Sequence, residues 1–142
     1  MMKIEQAEHK HAAEIVFLMD ELGYQCSLAL IESKLKFVAE SDFDQVFVAT
    51  IDGLVLGVIS CHVTIMFQAA GTCGRVTSLV VSSSTRGKGV GKALLKQADK
   101  YFLEKECVKV EVTSSERRKE AHEFYKAMGF TQESARFLKV YN

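Results

Sequence analysis

Residues Val76-Thr77-Ser78-Leu79-Val80-Val81 form a β-branched, apolar run, and Arg86-Gly87-Lys88-Gly89-Val90-Gly91-Lys92 follows it across a short serine-rich turn. Beyond the glycines, Val90, Leu94, Leu95, Ala98 and Phe102 recur at the spacing of one helix face. Strand, glycine-rich loop and helix in that order constrain the fold more than any other stretch, because they commit the chain to a βα unit. Such a loop leaves the first backbone N–H groups of the helix without partners, at the positive end of the helix dipole. Glycines let a bulky anion approach that backbone, and Arg86, Lys88 and Lys92 add full positive charge. The expected product is a phosphate cradle suited to a pyrophosphate.

Spacing decides which cradle this is. A Walker A loop needs four residues between its glycines and a Ser or Thr after the lysine. Here three residues separate Gly87 from Gly91, and Ala93 stands where the hydroxyl belongs. A dinucleotide fingerprint needs Gly-x-Gly-x-x-Gly, whereas Gly87, Gly89 and Gly91 are spaced Gly-x-Gly-x-Gly. The string instead resembles the Arg/Gln-x-x-Gly-x-Gly/Ala motif of the GNAT family of N-acetyltransferases, with Arg86, Gly89 and Gly91 on its fixed positions. In that family the motif grips the pyrophosphate of acetyl-CoA. The resemblance therefore implies that Arg86, Gly87, Lys88, Gly89, Val90, Gly91 and Lys92 bind acetyl-CoA as cosubstrate.

At 142 residues the chain reads as one continuous domain, 1–142, with 48% apolar and 25% charged residues. Lys and Arg number 18 against 18 Asp and Glu, a balance that argues against a nucleic-acid partner. No apolar run approaches a membrane span, and Met1 to Gln6 lacks the apolar core of a signal peptide, so a cytoplasmic protein with no membrane partner is expected. Cys26, Cys61, Cys73 and Cys107 form no Cys-x-x-Cys pair. Reduced thiols and no metal site are expected.

Periodicity predicts a first strand over Lys3 to Ala7 and a helix over Lys10 to Leu22 with Ala12, Ile15, Val16, Met19 and Leu22 inward. Gly23 ends that helix, and Ser27 caps a second one that turns Leu28, Ile31, Leu35 and Val38 to the core. Strands at Val46 to Ile51 and Leu54 to Val63 flank Asp52-Gly53, a strong hairpin signal. Met66 to Gly74 reads as a loop before the strand Val76 to Val81. A helix over Lys88 to Lys105, a strand over Lys109 to Thr113, a helix over Arg117 to Met128 and a terminal hairpin around Phe130 and Phe137 to Val140 complete the chain. The expected fold is α/β (α+β) in three layers: a mixed, mostly antiparallel sheet with one parallel βαβ pair and helices on both faces. That order of elements is similar to the GNAT fold over nearly the whole chain.

A second motif lies in Ala121-His122-Glu123-Phe124-Tyr125-Lys126-Ala127-Met128-Gly129-Phe130, where Ala121, Phe124, Tyr125 and Met128 share one helix face. Core packing would account for that face unaided. The ending Phe-Tyr-x-x-x-Gly-Phe is similar to the one that closes most GNAT domains, in which the tyrosine is often the general acid for the departing thiolate. The resemblance gives Tyr125 that role and implies direct acetyl transfer to a primary amine of a small molecule or peptide, through a tetrahedral intermediate. It also implies that Leu79, Val80 and Val81, at a bulge in the strand before the loop, hydrogen-bond the carbonyl and the pantetheine arm.

The proton of the attacking amine is less well provided for. Many family members carry a glutamate at the start of that strand, where this chain has Arg75-Val76-Thr77. Glu111 on the next strand is the nearest carboxylate, either as base or as a structural ion-pair partner; loss of the proton to water is the third route. The asparagine frequent after the second parallel strand is absent from Thr113 to Arg118, where Ser115 is expected to cap the next helix. His122, three residues before Tyr125, either contacts coenzyme A or sits exposed on its helix. The family holds its acceptor between the loop joining the first two helices and the later strands, so the resemblance places Glu21, Tyr24 and Phe67 at the acceptor mouth. The oligomer is expected to be a monomer or homodimer. The competing reading is an acyl-CoA-binding sensor of the same fold without turnover.

Overall fold

The computed structural model describes residues 1–113, 119–133 and 136–141. Among these residues five strands form one sheet in sequence order: β1 (Met2–Gln6), β2 (Asp44–Ile51), β3 (Leu54–Ile65), β4 (Thr72–Val81) and β5 (Cys107–Val112). The first four run antiparallel to their neighbours, and β5 is parallel to β4. Four helices, α1 (Ala12–Glu21), α2 (Leu28–Glu40), α3 (Val90–Glu104) and α4 (Lys119–Ala127), cover the sheet. Helix α3 supplies the crossover that a parallel pair requires.

Alternation along the strands builds two cores. On one face Phe47, Ala49, Ile59, Cys61 and Val76 pack beneath Val90, Leu94, Leu95, Ala98, Tyr101 and Phe102 of α3, with Phe124, Tyr125 and Met128 of α4 against them. On the other face Val46, Val48, Val55, Val58 and Val80 pack against Ala12, Ile15 and Leu18 of α1 and Leu35 of α2. The fold is therefore three-layered and mixed, as expected. Asp52 and Gly53 both take positive φ, 51° and 80°, so the hairpin turn forms where the sequence signals it. Ser27 caps α2 through the Leu30 N–H at 3.0 Å.

Several boundaries differ from expectation. Helix α1 buries Leu18, while Val16 turns outward beside Phe17 and Asp20. Leu28 is exposed at the first turn of α2, ahead of the part of that helix that reaches the sheet. Strand β4 starts at Thr72 within the segment read as a loop. Its Gly74 looks like a turn residue but serves packing: a Cβ there would lie 2.5 Å from the Phe102 ring. Among the described residues no strand follows α4, in place of the expected terminal hairpin. Phe137, Leu138, Val140 and Tyr141 are exposed. Apolar side chains fall on both alternating faces of that segment, so a strand at the sheet margin would bury only one set. The expected cap Ser115 and the first turn of the last helix at Arg117 and Arg118 lie outside the described residues.

Candidate active site

Strand β4 is flanked on both sides only over its first half. Pairing with β5 stops at Val76 opposite Val112, so among the described residues the edge from Thr77 to Val81 has β3 on one side and no strand on the other. Leu79, Val80 and Val81 lie in regular register with Ile59, Val58 and Gly57. The bulge falls earlier than expected. Ser78 opposes Ser60 and Val76 opposes Cys61, which leaves Thr77 as the extra residue. The Thr77 and Ser60 hydroxyls bond each other, and Thr77 also donates to the Ser60 carbonyl at 3.3 Å, fixing the irregularity there. An edge of this kind offers backbone groups to an extended ligand that adds as a strand.

At the end of β4 the buried Ser82 caps a short 3-10 turn, accepting from the Ser84 N–H at 3.3 Å. Its hydroxyl donates to Glu21 Oε1 at 2.9 Å, and the Ser83 N–H and hydroxyl donate to the same oxygen at 3.2 Å. The last residue of α1 is thereby fastened to the turn that leads into the glycine loop. The Ser82 hydrogen bond, partly opposed by burial and reinforced by Ser83, holds the Glu21 carboxyl below its ordinary value.

Gly87 and Gly89 have φ of 80° and 77°, conformations that glycine adopts without strain. Nothing lies within 4 Å of a Cβ at either position, so a side chain there would project into open space. The first helical bond of α3 runs from the Ala93 N–H to the Gly89 carbonyl at 3.0 Å, leaving the N–H groups of Val90, Gly91 and Lys92 ahead of it with no helical acceptor. Exposed Lys88 and Lys92 flank them. N–H groups without helical acceptors beside two exposed lysines suit an anion such as a pyrophosphate. The Arg86 guanidinium lies 3.4 Å from the Glu120 carboxylate in the first turn of α4, which joins the loop to that helix.

The second motif meets the first at Gly91. A Cβ there would lie 3.2 Å from Phe124 Cζ and 3.7 Å from Val81 Cγ2. The end of β4, the start of α3 and the middle of α4 thus converge, and a larger residue at 91 would separate them. Tyr125 is half-buried, edge-on to Phe124 at 5.4 Å and to Phe130 at 5.5 Å between ring centres. Gly129, at φ 95°, turns the chain back so that the Phe130 N–H reaches the Tyr125 carbonyl at 2.9 Å. His122 is half-buried on the same helix.

Glu111 is exposed and pairs with Arg75 at 3.8 Å, so the partner that a strand carboxylate needs is on the adjacent strand. Tyr24 follows α1 near the fastened turn, whereas the fully exposed Phe67 lies in the β3–β4 connection, at the other end of β4 from the glycine loop. Sequence spacing gave no hint of a charged row across the sheet. Asp44, His62, Arg75 and Glu111 stand directly opposite one another on β2, β3, β4 and β5. His62 Nδ1 is 2.7 Å from Asp44 Oδ1. Strand pairing alone assembles this row, because its members lie far apart in the chain.

Residues 5–130 match the model of the acetyltransferase (GNAT) family. An aminoalkylphosphonate N-acetyltransferase of Salmonella typhimurium is 32% identical over 89 residues, which are 63% of this chain and 58% of that protein. The glucosamine-6-phosphate N-acetyltransferase structure from Arabidopsis thaliana superposes with a TM-score of 0.87 at 21% identity, covering 100% of this chain and 99% of that one. An aminoglycoside N-acetyltransferase solved in complex with CoA gives 0.85 at 19% identity, covering 100% and 95%. At those identities the two structures speak for the fold alone. The family match, which spans the glycine loop and the Tyr125 helix together, establishes that this chain belongs to the acetyltransferase (GNAT) family.

Proposed function

We propose that this chain transfers the acetyl group of acetyl-CoA directly to a primary amine of a small molecule or peptide. The observation that carries the reading is the continuity of the open β4 edge, Thr77 to Val81, with the glycine loop at the start of α3. A pantetheine arm laid along Leu79, Val80 and Val81 would bring its pyrophosphate to Gly87, Gly89 and the N–H groups of Val90, Gly91 and Lys92. Arg86 and Lys88 add charge-assisted contacts. A backbone N–H of the same edge polarises the acetyl carbonyl and stabilises the oxyanion formed on attack. Tyr125, on the helix packed against Gly91 and Val81, donates a proton to the departing thiolate, and His122 flanks it.

The acceptor side is formed by Glu21, Tyr24 and the polar strand row, with Phe67 at its far rim. Glu111 is one group able to take up the amine's proton. Because the related Salmonella protein is an aminoalkylphosphonate N-acetyltransferase, amines bearing an acidic group head the panel, with the Arg75 guanidinium as their counter-charge.

The test is thiol release from acetyl-CoA with aminomethylphosphonate, glucosamine-6-phosphate, kanamycin, spermidine and a lysine-containing peptide as acceptors. Acetylated product from any of them, confirmed by mass, supports the enzyme. Tight acetyl-CoA binding with no product from any acceptor favours the non-catalytic sensor instead.

A further inference from the structure

His62 is held in one orientation by Asp44. Its Nδ1 lies 2.7 Å from Asp44 Oδ1, while Asp44 Oδ2 accepts from the Ser41 hydroxyl at 2.6 Å. Ser41 is itself fixed by the Phe43 N–H at 3.1 Å, and the Phe43 carbonyl accepts the Val63 N–H at 2.8 Å. Both carboxylate oxygens of Asp44 are thus engaged in a frame that ties the end of α2 to β3. A neutral imidazole that donates through Nδ1 carries its lone pair on Nε2. Among the described residues Nε2 makes no hydrogen bond, and the side chain is 42% exposed.

The charged surroundings suit that role. Arg75 of β4 stands directly opposite His62, but its guanidinium reaches the other way, to Thr113 Oγ1 at 3.0 Å and Glu111 at 3.8 Å on the β5 side. Asp44 faces His62 from β2, Arg75 from β4, and Glu111 stands beyond Arg75. The start of β4, where the family resemblance leads one to expect a glutamate, carries this arginine, and the imidazole is its cross-strand neighbour. His62 lies three residues along β3 from Ile59, the partner of Leu79. A span of about 10 Å along the strand leaves room for the imidazole to reach an acceptor amine through one water.

We propose that His62, oriented by Asp44, takes the proton that the amine loses in acetyl transfer, an inference that rests on the acetyltransferase reading above. As the amine nitrogen bonds to the acetyl carbon, its proton passes to His62 Nε2, directly or through the water. The C–S bond then breaks, and the thiolate takes its proton from Tyr125. Glu111, held by Arg75, is left a structural partner.

The experiment measures kcat/KM against pH, with the fastest acceptor of the panel, for wild type, His62→Ala, His62→Gln and Asp44→Asn. His62→Ala and His62→Gln are expected to lose about 10²-fold or more, and Asp44→Asn about tenfold. Acetyl-CoA affinity and Tm of the His62 variants are expected to match wild type. The shape of the pH profile is expected to change in His62→Ala, and added imidazole is expected to restore part of its rate. A His62→Ala or His62→Gln enzyme that keeps more than about a third of wild-type kcat/KM overturns the assignment. So does a loss that imidazole does not relieve and that leaves the shape of the pH profile unchanged. Wild-type protein inactive with every acceptor would overturn the acetyltransferase reading and this inference with it, an outcome distinct from failure of the variants alone.

Discussion

Phe124 occupies the space that a side chain at residue 91 would need, its Cζ 3.2 Å from a Cβ built on Gly91. This contact sets how closely α4, and with it Tyr125, approaches the phosphate loop. Gly91→Val is expected to cost about 1–3 kcal/mol through overpacking, with Tm falling about 2–4 °C per kcal/mol. Turnover is expected to fall further than the stability loss explains, because Tyr125 moves with Phe124. Thermal melts and kcat measured on the same preparation check this. An unchanged kcat would separate the packing contact from the chemistry.

Arg86 and Gly89 test the cradle itself. Arg86→Ala removes a charge-assisted contact to the pyrophosphate of about 1.5–3 kcal/mol, a loss of roughly 10–100-fold in acetyl-CoA affinity. Gly89→Glu puts bulk and negative charge beside the free N–H groups of α3 and adds strain at a φ of 77°. Calorimetric titration with acetyl-CoA provides the measurement. Affinity unchanged in both variants would leave the loop a glycine-rich turn.

Tyr125→Phe keeps the ring between Phe124 and Phe130 and removes only the hydroxyl. The expected result is a fall in kcat of about 10²–10⁴ with coenzyme A affinity nearly constant. Single-turnover thiol release measures it. A loss below about threefold with chemistry rate-limiting would assign proton delivery to water.

Cys61 makes stability depend on alkaline pH. Burial, with the Asp99 charge adding to it, pushes the thiol from 9.0 up to about 12. The folded state therefore keeps a proton that the unfolded chain releases, so the associated stability is complete below pH 9.0 and is lost as pH rises toward about 12. Each pH unit in that window removes about 1.4 kcal/mol. Burial pushes the Tyr101 phenol from 10.0 to about 12, which steepens the loss above 10.0. Urea midpoints at about pH 8 and pH 10 are expected to differ by less in Cys61→Ala than in wild type. Equal differences would mean that the thiol titrates alike in both states.

The sequence by itself determined the local pieces. The βα unit, the glycine loop, the Asp52-Gly53 turn, the Ser27 cap and the Phe124-Tyr125 helix each depend on neighbours a few residues away, and periodicity or a fixed φ requirement reveals them. Family resemblance supplied the chemistry for two of these pieces. Tertiary structure decided what depends on pairing and contact across the chain. Gly74 reads as a turn residue until Phe102 is seen filling its place. That the Glu21 carboxylate holds Ser82 and Ser83 shows only once the end of α1 lies beside the end of β4. The row from Asp44 through His62 and Arg75 to Glu111 exists only because four strands fall into one register. Register is set by which faces of the strands are buried and by the extra residue Thr77. Those are properties of the assembled sheet, and no single strand carries them.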